Sequence, residues 1–151
     1  MLRTRLSDTL KDSLRNKQER VTHTVRLILA ALKDRDIAAR PSGNATGISD
    51  ADILTMMNGM IKQRRESIEM FEKGGRPELA KQEQEEIDII LSFMPKQMSD
   101  DEVAAAAKDA IAQTGAASVK DMGKVMAVLK EKYAGQMDFA KASGIVKAQF
   151  G

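Results

Sequence analysis

The chain has 151 residues, 42% hydrophobic and 30% charged, with 24 Lys+Arg against 22 Asp+Glu and a formal charge of +2; a chain this long buries roughly 68–70% of its unfolded surface, enough for one domain or two small ones without staples. The absence of Cys and the presence of a single His exclude a disulfide framework, a thiolate nucleophile, an iron–sulfur cluster and Cys- or His-rich metal sites, so neither cofactor nor metal is expected. No apolar run approaches the roughly 18 residues of a membrane span, and Met1 to Asp8 lack the apolar stretch of a signal peptide, so a soluble cytoplasmic protein is expected, with no membrane partner.

Only 3% of residues are aromatic and β-branched runs are few, which argues against a sheet-dominated fold and against binding that depends on stacked bases. The apolar period is helical nearly throughout. Leu2, Leu6, Leu10 and Leu14 recur every four residues and predict a first helix over 2–18. Val21, Val25, Ile28, Leu29 and Leu32 form one stripe of a second helix over 20–39. Pro41 forbids its continuation, and Pro41 to Gly47 read as a loop.

Ser49 is a good N-cap, and Asp50 and Asp52 favour the positive end of a third helix that runs to Lys73. Gly74-Gly75 ends it, and Pro77 suits the first position of a fourth helix running to Met94. Pro95 closes that helix, after which segments shorten and Ala rises. Ser99-Asp100-Asp101-Glu102 is a capping box opening a helix that Gly115 stops. Ser118-Val119-Lys120-Asp121 resembles a second box, opening a helix that Gly135 stops, and Asp138 caps a last one. The expected fold is all-α. It has an N-terminal long-helix module with antiparallel hairpins, residues 1–95, and a small C-terminal three-helix module, residues 96–151.

Charge is uneven along the chain. Residues 1–40 hold ten Lys/Arg against five Asp/Glu, whereas residues 74–95 hold two against five. A nucleic-acid backbone or another anion would be drawn to the first two helices. The candidate contacts there are Arg15, Lys17, Arg20, Arg26 and Lys33; the plain alternative is a solvated helix face. If the third and fourth helices form an antiparallel hairpin, Arg64, Arg65, Arg76, Glu83 and Glu86 meet in an interhelical ion-pair network, each exposed pair adding about 0–1 kcal/mol. Arg64 or Arg65 could instead present to phosphate. No nucleophile, metal or oxyanion site accompanies the Glu cluster, and His23 reads as a partly exposed helical residue, so no catalytic residue is assigned.

Gly123 lies near a helix start with Lys120 and Lys124, an arrangement that can bind an anion. The plain alternative is close helix packing at Gly123. Met56, Met57 and Met60 read as core filler; neighbouring Met56 and Met57 are not expected to share one core, so one of them is expected at the surface as a mark of protein contact.

Four segments carry a resemblance: Thr24 to Lys33; Lys62 to Phe71 continuing through Gly75-Arg76-Pro77-Glu78-Leu79-Ala80 and Glu83 to Ile87; Phe93 to Ser99; and Lys120 to Met126. In this order they resemble the GatB/YqeY family, and stand-alone YqeY proteins in particular, over almost the whole chain. The resemblance implies an all-α fold of two modules. It implies kinship with the C-terminal tail of the B subunit of the tRNA-dependent amidotransferase, which helps hold tRNA while the chemistry lies in other domains. The implied function is a non-catalytic tRNA-associated accessory protein, with tRNA and an amidotransferase or synthetase as partners, and with Lys120, Gly123 and Lys124 near phosphate. A helical protein-interaction module is the alternative. A label of carbon–nitrogen ligase with glutamine as amide donor would be inherited from the larger protein alone. After Gly135 the family tends to read Arg-Ala-Asp-Gly, whereas this chain reads Gln136-Met137-Asp138-Phe139.

Overall fold

A computed structural model describes residues 1–150. The described residues form seven α-helices and two short 3-10 turns, with no strand. They fall into two compact units, Met1–Met94 and a second beginning at Pro95.

The first unit holds α1 (Leu2–Arg15), α2 (Glu19–Ala39), α3 (Asp50–Lys73) and α4 (Pro77–Leu91). Each turns one apolar stripe inward. Leu2 and Leu6, then Val25, Ile28 and Leu32, then Ile53 and Ile61, then Ile87 and Ile90 close on one core with Phe93. Burying each such side chain contributes about 1.5–3 kcal/mol. The α3–α4 hairpin turns at the glycines. Gly75 takes the left-handed φ of 71°, Arg76 N–H donates to the Phe71 carbonyl at 2.8 Å and Gly75 N–H to Glu72 at 3.2 Å. These bonds satisfy carbonyls that the helix end leaves open. Ser49 Oγ accepts from the Asp52 N–H as expected of an N-cap.

The loop between α2 and α3 is pinned by charge. The Arg3 guanidinium grips both oxygens of Asp36 at 2.6 and 2.7 Å and donates to the Ile48 carbonyl at 2.9 Å. Ile48 N–H returns a bond to Asp36 at 2.9 Å. These donors stabilise the Asp36 carboxylate and hold its pKa down to about 2. Gly47 fits because its φ is +102° and because a Cβ there would stand 2.5 Å from Arg3 Nη2.

Three details depart from the sequence reading. The first helix stops at Arg15 rather than running to residue 18, and Lys17 takes a φ of +54°. Gln18 N–H donates to Ser13 and Lys17 N–H to Leu14, the bonding that a glycine commonly accompanies. The fourth helix ends at Leu91, three residues short of Met94, as Ser92, Phe93 and Met94 tighten into i→i+3 bonds. Met56 and Met57, of which one was expected at the surface, are both buried. Helix α3 packs against α2 as well as α4, so positions 100° apart on it both find cover.

The second unit packs α5 (Asp100–Thr114), α6 (Met122–Lys132) and α7 (Phe139–Gln149) around Ala106, Ala107, Ala110, Val125, Leu129, Ala142 and Val146. The Ser99 capping box forms with both of its bonds. The Ser118 box does not. Residues 119–121 wind into a 3-10 turn, and the Asp121 carboxylate instead accepts the Ala117 N–H at 3.1 Å. The turn after Gly135 is structural. Met137 is buried, Gln136 carbonyl accepts the Met98 N–H at 2.8 Å, and Asp138 caps α7 by accepting from Ala140 N–H at 2.9 Å.

Candidate functional site

Polar side chains of the first unit gather where α2, α3 and α4 meet. Glu86 is the hub, with only 8% of its surface exposed. Arg64 Nε donates to it at 2.9 Å, His23 Nε2 stands 3.6 Å away, and Arg20 Nη1 3.9 Å away. Arg64 also lies 4.0 Å from Glu83, and Arg20 3.3 Å from Glu85. Burial and the neighbouring Glu86 charge raise the pKa of Glu83, and Arg64 and Arg20 only partly oppose them.

The expected network is therefore redrawn. Arg64, Glu83 and Glu86 meet across the hairpin. Arg65 is exposed and makes no ion pair among the described residues, because a one-residue step turns it 100° away from α4. Arg76 pairs locally with Glu78 at 2.8 Å, which stabilises that carboxylate below its usual range. Arg20, expected to face an anion, is instead engaged by Glu85 and Glu86. No spacing within the hairpin could have shown this, since Arg20 arrives from a third helix.

Beside the cluster a shallow cleft of about 360 Å³ is lined by Ser13, Leu14, Lys17, Glu19, Thr22, His23 and Arg26. It sits over the α1–α2 turn. The Ser13 and Thr22 hydroxyls lie 2.7 Å apart and buried, and Ser13 also donates to the Leu10 carbonyl. Ser13 is thus oriented toward the backbone of its own helix and Thr22, with no hydrogen bond to His23.

Of the other cations expected near an anion, Arg15 approaches Asp12 only at 4.0 Å. Lys17, Arg26 and Lys33 are exposed and form no ion pair among the described residues. Arg40, not singled out from the sequence, extends the row: Arg26, Lys33 and Arg40 follow at seven-residue steps and are all exposed. Seven residues make nearly two helical turns, so the three charges lie along one side of α2 about 10 Å apart. The repeat at 26, 33 and 40 was the signal available. In the second unit Lys120, Gly123 and Lys124 are exposed around the start of α6. A Cβ at Gly123 would meet nothing within 4 Å, so close helix packing does not explain this glycine.

A family model for Yqey-like proteins matches residues 3–150. The chain belongs to the YqeY-like family. Relatives include an uncharacterised protein of Schizosaccharomyces pombe, 29% identical over 90 residues that make up 60% of this chain and 69% of that protein. The protein named altered inheritance of mitochondria protein 41, mitochondrial, is 31% identical in Eremothecium gossypii over 59% of this chain. Its counterpart in Pyrenophora tritici-repentis is 24% identical over 83% of this chain and 70% of that protein. The match spans 46% of the Eremothecium protein, under half its length. Among the described residues no helix is long and apolar enough to cross a membrane.

Proposed function

We propose that this YqeY-like protein is an accessory factor that holds RNA, with tRNA the expected ligand, by its phosphate backbone and without chemistry of its own. One observation carries the reading. Part of the positive charge of the first forty residues is left outside ion pairs: Arg26, Lys33 and Arg40 are exposed along one side of α2 and the turn that follows it, with Lys17 beyond its N-terminus. Asp36, the nearest carboxylate in sequence to Lys33 and Arg40 on that side, is already gripped by Arg3. A row of exposed cations attracts phosphates whatever the base sequence. The kinship with the amidotransferase B-subunit tail that the four sequence segments imply is the ground for choosing tRNA as the polyanion, and an amidotransferase or synthetase as the assembly it serves. Lys120, Lys124 and the open N-terminal turn at Gly123 would add a second contact.

Titration of the full chain against tRNA at two salt concentrations tests the proposal. Binding should weaken steeply with salt, and no binding at low salt would refute it. The competing reading, a protein-docking module, cannot use Met56 and Met57, which are both core, but Met70 of the same helix is exposed. A protein partner retained after nuclease treatment and at high salt would restore that reading.

A further inference from the structure

We infer that the cleft over the α1–α2 turn is a binding site for a nucleoside monophosphate group, carried by a free nucleotide or by the phosphorylated end of an RNA strand. The cleft unites three kinds of chemistry within about 360 Å³, a volume within the range of small-molecule pockets. Lys17 and Arg26 supply two cations with no ion-pair partner among the described residues, and the ring of the half-exposed His23, whose Nε2 stands 3.6 Å from Glu86, lines the cleft beside them. A phosphate monoester, with two negative charges to share, matches this set better than the single charge of a backbone diester. Glu19 on the rim is an acceptor, suited to the paired hydroxyls of a ribose. Leu14, half exposed despite its size, offers an apolar wall for a base.

Lys17 adds an independent indication. It occupies the left-handed position after α1 with φ of +54°, where glycine fits without strain and a long side chain does not. The equivalent position in the α3–α4 turn is Gly75, with φ of +71°. The lysine at this costlier position is one of the residues that line the cleft. The site shares Lys17 and Arg26 with the proposed backbone contacts but recognises a single terminal group, which neither Lys33 nor Arg40 helps to hold.

The test uses the full chain and adenosine monophosphate as probe. His23 is the only histidine, so its ring resonances report the cleft without assignment ambiguity. A saturable shift is expected, with a Kd of about a millimolar or tighter. Lys17→Gly and Arg26→Ala should each weaken it by about tenfold or more, as loss of a charge-assisted hydrogen bond does, while Lys62→Ala, at an exposed lysine of α3, leaves it unchanged. Circular dichroism of each variant checks that the exposed substitutions leave the fold intact. A second arm compares a short oligoribonucleotide with a 5′-phosphate against the same strand with a 5′-hydroxyl. Tighter binding of the 5′-phosphate strand than of both the 5′-hydroxyl strand and adenosine monophosphate assigns the site to an RNA end; tighter binding of adenosine monophosphate than of either strand assigns it to a small ligand. No shift of His23 with either probe overturns the proposal, and so does a shift undiminished in both Lys17→Gly and Arg26→Ala. Loss of the site with salt-sensitive tRNA binding retained would overturn this inference alone.

Discussion

Replacing Arg64 with Met tests how the first unit holds its buried acid. Arg64 and Glu86 have side chains only 13% and 10% exposed, so the lost interaction is poorly screened by water. Methionine keeps the apolar stem that packs against the hairpin and removes only the guanidinium. Breaking a fully buried pair costs about 3–5 kcal/mol, and a hydrogen bond to a charged group contributes about 1.5–3. Arg20 and His23 remain near Glu86 at 3.9 and 3.6 Å and recover part of the loss. We expect destabilisation of about 2–3 kcal/mol at pH 7. The deficit should shrink on acidification. Glu83 already has a raised pKa from burial and from Glu86. A carboxyl raised in the folded state weakens the fold when ionised, and that penalty disappears as pH falls through its folded value. Removing Arg64 raises it further, so the deficit should fall by about 1 kcal/mol or more between pH 7 and pH 4. Urea unfolding by circular dichroism gives the stability. Emission from Tyr133, the only tyrosine, reports the second unit as an internal control. A loss under about 0.5 kcal/mol at pH 7, or a deficit independent of pH, would mean that Arg64 does not hold the buried carboxylates.

Three further outcomes follow from the geometry. Gly59 lies exposed within α3, and a Cβ there meets nothing within 4 Å, so Gly59→Ala should stabilise the first unit by about 0.5–1 kcal/mol in urea unfolding. Lys17→Gly should raise stability by about 0.5–1 kcal/mol by relieving the left-handed lysine, in the same variant that loses nucleotide binding. Asp36, held down to about 2 by Arg3 and the Ile48 N–H, supports the fold at neutral pH; that support is lost as pH falls from about 4 to about 2. Asp36→Asn should lower stability at pH 7 and flatten the acid limb of the unfolding curve over that window.

The order of the helices was legible because their ends are written in local chemistry. Ser49, Ser99 and Asp138 cap through their own side chains, and Gly74-Gly75 before Pro77 makes the hairpin without help from elsewhere. Where an end is made by backbone bonds around an unremarkable residue, the sequence was silent, as at Lys17. Where two local solutions compete, it misled. Asp121 serves the Ala117 N–H, so the Ser118 box never forms. The polar cluster shows a second limit. Residue spacing gives height along a hairpin but not which way each side chain turns. It placed Arg64 and Arg65 together, whereas only Arg64 reaches Glu86. Arg20 and His23 come to that carboxylate from α2, and nothing in a pairwise reading of α3 and α4 announces a third helix. The same absence of tertiary information hid the cleft, whose lining comes from the end of α1, the turn and the first two turns of α2.

Whether the exposed cations along α2 hold an RNA backbone is decided by the salt dependence of tRNA affinity for the parent chain and for a variant carrying Arg26→Ala, Lys33→Ala and Arg40→Ala. Each phosphate contact adds about 0.7–0.9 to the slope of log K against log salt. The parent should bind tRNA, and the variant's slope should be shallower by about 2–3, with a secondary structure unchanged by circular dichroism. Equal slopes and equal affinities for the two proteins would contradict it.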